Sequence, residues 1–522
     1  MATVLEKTSE FKNELVRSFD DAASQAGMKA ALDRARADFG TEYALVIGGK
    51  RVKAPQQFES RNPARPSEIV GKLQSATIEQ TREAVAAADS AFGSWSRSSP
   101  QRRAEVLFNA AKEVRRRRDE FCALLIHEVG KSWIEADGDV AEGIDFLEYY
   151  GREMLRLAGP QPVTPVSGEK NSMHYIPLGV GVVIPPWNFA FAIMVGITSA
   201  AIVAGNTVVL KPSSDSPVIA AKFVELLEEC AVPPGVVNFI TGSGGTIGDE
   251  LIKHPRVRFV SFTGSKEVGL HINELAAHPQ PGQIWIKRVV AEMGGKDSIV
   301  VAADADIPAA VEGVAVSAFG FAGQKCSACS RAIVESSVYD DFVSRLVERT
   351  DKISVGDPAD PKTYMGPVVN ESSLKKIERY IEIGKREGRL VYGGERISGD
   401  GYFVEPTIFA DIPPDGKLAQ DEIFGPVLAV IKADDFGDAL RIANNTEFGL
   451  TGSTYSSDRA KLERASREFH VGNLYLNRKS TGALVGAHPF GGFNMSGTDS
   501  KAGGPDYLLL FLQAKVVSEK VK

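Results

Sequence analysis

The stretch that decides the architecture is Val180-Gly-Val-Val-Ile184, followed by Pro-Pro-Trp-Asn, then Phe189-Ala-Phe-Ala-Ile-Met-Val-Gly-Ile-Thr-Ser-Ala-Ala-Ile-Val203, and, after Ala-Gly-Asn, Thr207-Val-Val-Leu210. The first and last runs carry almost no polar side chain, which is how a strand buried on both faces reads. The run between them falls short of the ~20 residues that cross a bilayer. It contains Gly196, Thr198 and Ser199, and it predicts a buried helix. Strand, helix and strand in that order imply a parallel sheet with helices on its faces.

The alternation continues outward. A helix is expected over 217–230, a strand over 236–240, a helix over 247–253 and a strand over 257–262. A second series begins with a strand at 297–303 and continues through a strand at 332–334, a helix at 339–350, a strand at 428–431 and a helix at 435–444. Upstream, the spacing of Phe11, Leu15, Val16 and Phe19 predicts a helix over 8–38. A hairpin turning at Gly48-Gly49 and a loop at 62–66 follow. Further helices are expected over 77–92, 100–128 and 132–157, the last carrying Glu142. The fold class is α/β: a Rossmann-type cofactor domain (1–158 and 176–289), an α/β catalytic domain (290–500) and a small β segment (159–175 and 501–522).

Composition narrows the function. The chain has 522 residues, 43% hydrophobic and 24% charged, with a net charge of −7, as in a soluble globular protein. Such a balance lacks the basic footprint of a nucleic-acid binder. No membrane partner is expected. Residues 1–10 have no apolar run, and Glu6, Glu10, Asp20 and Asp21 argue against a targeting peptide. The four cysteines, Cys122, Cys230, Cys326 and Cys329, suit a reducing compartment. The cytoplasm is the expected location.

The chemistry centres on Phe319-Gly-Phe-Ala-Gly-Gln-Lys-Cys-Ser-Ala-Cys-Ser-Arg331. Small residues around Cys326 let backbone approach closely and leave a thiol accessible. A free thiol titrates near ~8.5, and backbone N–H groups or a cation such as Lys325 can lower that value. Upstream, Val290-Ala-Glu-Met-Gly-Gly-Lys296 presents Glu292 before two glycines. A thiol and a carboxylate base suit two-step covalent catalysis: the thiol traps an acyl group and the base activates water to release it. Cys326-x-x-Cys329 also fits a redox pair or half a zinc site, but a structural zinc needs four ligands, and no second such pair exists. No metal is expected. Gly264-Ser265, after a strand and opening a helix, suits phosphate binding. The loop Thr241-Gly-Ser-Gly-Gly-Thr-Ile-Gly248 lacks the spacing of a dinucleotide fingerprint.

These stretches, with Pro185-Pro-Trp-Asn-Phe189, Leu210-Lys-Pro212, Phe262-Thr-Gly-Ser265 and Glu422-Ile-Phe-Gly-Pro426, resemble the aldehyde dehydrogenase superfamily from about Asn62 onward. The resemblance implies an NAD(P)-dependent dehydrogenase acting on a small-molecule aldehyde through a thiohemiacetal and a thioester. Cys326 would be the nucleophile, Glu292 the base and Asn188 an oxyanion donor. Ile184, Pro186, Trp187, Lys211, Ser214, Gly242, Gly264, Ser265, Glu422 and Phe424 would hold the cofactor. The family often has Glu at position 214. Ser there removes a clash with a 2′-phosphate, so NADP is admitted beside NAD. Lys479-Ser-Thr-Gly-Ala-Leu-Val-Gly486, Pro489-Phe-Gly-Gly-Phe-Asn-Met-Ser-Gly497 and Lys501-Ala-Gly-Gly-Pro-Asp-Tyr507 resemble the subgroup that oxidises glutamate γ-semialdehyde, in the last step of proline degradation. By that resemblance Glu142, Phe189, Ser327, Gly482, Ala483 and Phe490 line the substrate site. The 508–517 run would pair across subunits, giving at least a homodimer. Succinate semialdehyde oxidation is the neighbouring alternative. A cofactor-free thiol hydrolase with His174 or His488 as base is the alternative from another class.

Overall fold

The computed structural model describes residues 10–521; the reading of residues 1–9 lies outside that span. Two seven-stranded sheets carry the molecule. The first runs Arg288–Glu292, Val257–Thr263, Val180–Ile184, Thr207–Leu210, Val237–Phe239, Leu45–Ile47 and Lys50–Val52 from edge to edge. Its first five strands pair in parallel, and the 45–52 hairpin joins antiparallel. Thr207–Leu210 is buried throughout. Every residue of the helix Ala192–Val203 except Ile193 is buried, as a helix apolar on all sides must be.

Chain order along this sheet moves from Val180–Ile184 to Thr207–Leu210 to Val237–Phe239, then jumps to the other side with Val257–Thr263. At such a reversal the loops from neighbouring strands leave in opposite directions and open a crevice at the carboxyl ends. Helix Lys266–Ala277 starts at that crevice, with Ser265 as its N-cap.

The second sheet runs Arg389–Tyr392, Thr407–Ala410, Val427–Ala433, Arg331–Glu335, Ser298–Val301, Thr451–Tyr455 and Asn473–Leu476, parallel except for the first pair. The first sheet's edge strand ends at Glu292 and the second sheet begins at Ser298, so residues 293–297 form the passage between sheets. A separate two-stranded ribbon pairs Glu169–Pro177 with Leu512–Lys520.

Three expectations change. The predicted helix over 8–38 is helical only at Ala22–Ala37. Residues 10–20 form an arm whose backbone donors are taken by carboxylates: Glu14 N–H donates to Asp145 Oδ1 at 2.7 Å and Arg17 N–H to Asp137 Oδ2 at 2.7 Å. The predicted 100–128 helix breaks at Arg117 into Pro100–Arg116 and Arg118–Val129. The apolar run at 508–517 divides as well. Tyr507–Phe511 is a short 3₁₀ turn with Leu508 and Phe511 buried, and only the following strand is exposed. Among the described residues no helix is long and apolar enough to cross a membrane.

Candidate active site

The loop that carries Cys326 follows a tight turn, Gly320–Gly323, in which Phe321, Ala322 and Gly323 have φ of 51°, 54° and 66°. Two consecutive non-glycine residues in that region are unusual and persist only where the surroundings hold them. The surroundings do so. Ser330 and Arg331 N–H both donate to Asp297 O at 3.1 Å, and Cys329 N–H donates to Ser317 O at 3.1 Å. The buried Arg331 guanidinium donates to the carbonyls of Lys296, Ile442 and Ala443, which also caps the end of helix Phe436–Asn444. Cys326 is therefore fixed to the passage between the sheets.

The Lys325 expectation is corrected here. Its Nζ lies 2.7 Å from Glu135 Oε1 on helix Trp133–Leu157, so the ammonium is committed to an ion pair. Burial pushes the Cys326 thiol up, and the carboxyl groups of Asp297, Glu422, Glu292 and Glu142 push the same way. A base or a positive charge brought to the thiol would favour the thiolate. Cys329 is buried with its thiol 3.4 Å from Arg331 O. Among the described residues no group of three or more His, Cys, Asp or Glu is placed to hold a metal.

Glu292 ends the edge strand of the first sheet. Its Oε1 accepts from Ser500 Oγ and from Ser500 N–H. Burial pushes this carboxyl up to about 7, against the lowering effect of the Ser500 donors. A general base poised near neutrality is what water activation requires. Asn188 is buried, and its Nδ2 donates to Gln324 O at 3.1 Å. That bond orients the amide, and Asn188 lines the same cleft as Cys326.

Two cavities meet at Cys326. One is lined by Glu142, Phe189, Ser327, Gly482, Ala483 and Phe490, together with Glu292 and Cys326. All six expected substrate residues are thus brought together. Its walls are aromatic: Phe146, Tyr150 and Tyr507 also line it, with the Tyr150 and Tyr507 rings stacked at 5.4 Å. Beneath Phe189, Lys131 Nζ sits 4.1 Å from the ring centroid and 2.9 Å from Asp139 Oδ2, in a fully buried pair. Glu142, a turn further along from Asp139, is pushed up to about 8 by burial and by Asp139. It sits among the aromatic residues of the cavity wall.

The second cavity is a cleft at the crevice of the first sheet. Ile184, Pro186, Trp187, Asn188, Lys211, Gly264, Ser265, Glu422 and Phe424 line it, with Cys326 at its inner end. Ser214 and Gly242 do not. Ser214 is exposed on the turn after Ser213, which does line the cleft. Gly242, at φ 147°, packs toward Ile247 and Ala76. The cleft fits a dinucleotide: backbone N–H groups at a helix start suit an anion, and at Gly294 a Cβ would overlap the Glu422 carboxylate. Glu422 Oε1 accepts from Gly295 N–H at 3.1 Å, and Lys376 Nζ holds the Glu422 carbonyl at 2.9 Å.

A profile described as the aldehyde dehydrogenase family matches residues 51–517. The chain belongs to the aldehyde dehydrogenase family. As an aldehyde dehydrogenase it is an oxidoreductase. It is 57% identical to a 1-pyrroline-5-carboxylate dehydrogenase of Geobacillus thermodenitrificans over 98% of this chain and 99% of that one. It is 56% identical to 1-pyrroline-5-carboxylate dehydrogenase 2 of Bacillus subtilis, with the same coverage. A Thermus 1-pyrroline-5-carboxylate dehydrogenase with bound NAD superposes with a TM-score of 0.97 at 50% identity, covering 98% of this chain and 100% of that one. A Staphylococcus aureus betaine aldehyde dehydrogenase in complex with NAD⁺ superposes with a TM-score of 0.89 at 28% identity, covering 95% and 98%.

Several residues of this dehydrogenase site escape a reading of the sequence. Phe146 and Tyr150 follow Glu142 at one-turn spacing on the same helix, a signal that periodicity could have supplied. Tyr507 lies within the 501–507 run but shows its role only once the chain returns to Glu292 and Ser261. Ser500 and Lys376 carry no local signal. Neither His174 nor His488 lines the cavity. His488 instead accepts from Leu484 N–H at 3.1 Å.

Proposed function

We propose that this aldehyde dehydrogenase oxidises L-glutamate γ-semialdehyde, the open form of 1-pyrroline-5-carboxylate, to L-glutamate. The observation that carries the reading is one cavity lined by Cys326 and Glu292 together with Ser327, Gly482 and Ala483. Cys326 Sγ bonds to the aldehyde carbon, and the thiol proton passes to water. The resulting oxyanion accepts from the Asn188 side-chain N–H and from the Cys326 N–H. One such donor is typically worth about 10²–10³ in rate. NAD, when bound in the cleft, supplies the two-electron acceptor that turns the thiohemiacetal into a thioester. Glu292 then takes a proton from water, the water oxygen bonds to the acyl carbon, and the carbon–sulfur bond breaks to return Cys326.

The far end of the substrate carries an α-carboxylate. Short donors bind it best here: the Ser327 hydroxyl and backbone N–H groups at Gly482 and Ala483, where Gly482 takes φ 75°. Charge-assisted bonds of this kind are roughly twice as strong as neutral ones. Phe189 and Phe490 flank the aliphatic chain. A site with such donors rejects substrates that leave them unpaired. kcat/KM for glutamate γ-semialdehyde is therefore expected to exceed that for hexanal by at least about 10²-fold and that for succinate semialdehyde clearly. A better rate with either competitor would overturn the substrate assignment.

The proposal includes NADP as a second cofactor, since Ser213 lines the cleft and Ser214, on the exposed turn beside it, presents no carboxylate. Ser214→Glu should depress the NADP rate selectively. It includes the three-part division of the chain given above. It also includes a cytoplasmic homo-oligomer, supported by the exposed Val516 and Val517 on the terminal strand.

A further inference from the structure

The base assignment above leaves open what keeps a buried carboxylate in place and ionised. The segment 489–502 wraps Glu292. Met293 N–H donates to Ser496 O at 2.8 Å, and Thr498 N–H donates to Ala291 O at 2.9 Å. Phe490 and Ala502 form a bridge that closes the wrap. Lys501 Nζ fastens the loop by donating to the carbonyls of Gly472 and Gly491 at 2.8 and 2.7 Å. The inside of the wrap is shaped to the carboxylate. A Cβ at Gly491 would lie 3.0 Å from Glu292 Oε1, and one at Gly497 would lie 3.2 Å from Oε2. Within it Ser500, itself buried, gives both its hydroxyl and its N–H to Oε1. Glu292 Oε2 is buried and has no hydrogen-bond partner among the described residues.

We propose that Ser500 is a positioning residue for Glu292: its two donors clamp Oε1 and leave Oε2 as the oxygen that takes the proton of the attacking water. The inference rests on the assignment of Glu292 as base. An asymmetric clamp is the economical arrangement, because a base held by donors on both oxygens would be oriented but blunted. The charged and titratable groups that face Glu292 are Lys501, which favours its ionised form, and Cys326, Tyr507 and Glu142, which line the same cavity. Lys501 is itself paired with Asp499 at 3.1 Å and held by the two carbonyls. The Gly492 N–H adds a smaller favourable contribution, and Ser500 supplies the two donors within hydrogen-bond distance. A hydroxyl that donates to a carboxylate favours its charged form, so removing the hydroxyl raises the pH at which the base becomes active.

The test is the pH profile of kcat in the full enzyme. The wild type should show an acid limb, and Glu292→Gln should lose it. Ser500→Ala should keep the limb and move it to higher pH by about one unit, the size expected for one hydrogen bond to a charged group. KM and the first-turnover burst of NADH should stay close to wild type. Ser500→Cys, which keeps a weak donor, should fall between the two and decides the matter if the alanine variant does not fold. An acid limb that stays put in the Ser500 variants overturns the inference. An acid limb that survives in Glu292→Gln overturns the base assignment instead.

Discussion

At the scale of single residues the site is an exercise in burial. Glu292 loses most of its hydration and is pushed up to about 7, well above an ordinary glutamate. It works as a base only when ionised, so deacylation is expected to rise with pH through about 7 and to fail as pH drops below it. Stopped-flow measurement of the steady state against the first-turnover burst checks this: the burst should survive at lower pH than the steady state does. Equal loss of both would contradict the assignment. Cys326 and Glu292, the proposed nucleophile and base, stand out in the sequence because the small neighbours that leave them accessible are local. The direction of the Cys326 shift does not. It depends on Asp297, Glu422 and Glu142, carboxyls from distant parts of the chain, and on Lys325 turning to Glu135.

At the scale of elements, one buried pair ties helix Trp133–Leu157 to helix Ala192–Val203. Asp139 accepts from Ala192 N–H at 2.7 Å, so it caps a helix that has no cap of its own, and it pairs with Lys131. Asp139→Ala would leave a buried ammonium unpaired and a helix start unsatisfied. A loss of about 3–5 kcal/mol is expected, read from urea unfolding with and without the substitution. A loss below about 1 kcal/mol would show that the pair is dispensable. The alternating strands and helices were readable from apolar runs because each is buried on both faces. The arm at residues 10–20 was not. Its spacing suits a helix, but Asp137 and Asp145 offer its N–H groups better partners, and those carboxylates lie more than a hundred residues away. At the break, the Arg117 guanidinium bonds Glu120 in the next turn and the distant Glu229.

At the scale of the whole molecule, the carboxyl ends of one sheet meet the passage into the second, and both cavities open onto Cys326 at that seam. Sequence patterns gave the two α/β halves but could not give the seam, which is made by pairings such as Asp297 with Thr451 and Glu422 with Gly295. The terminal segment is also a matter of the whole. Leu508, Phe511 and Leu512 are buried in the chain's own core, whereas Val516 is 61% exposed. Truncation after Leu512 should therefore leave a folded chain and reduce its assembly size in light scattering; an unchanged size would remove this strand from the interface. The central claim is that an aldehyde bearing an α-carboxylate is oxidised on Cys326 and released by Glu292. It is tested most directly by mixing the Glu292→Gln variant with 1-pyrroline-5-carboxylate and NAD, then mapping the quenched protein by peptide mass spectrometry. The prediction is a glutamyl thioester on the peptide carrying Cys326, formed with one equivalent of NADH. NADH without an adduct, or an adduct on Cys329, would contradict it.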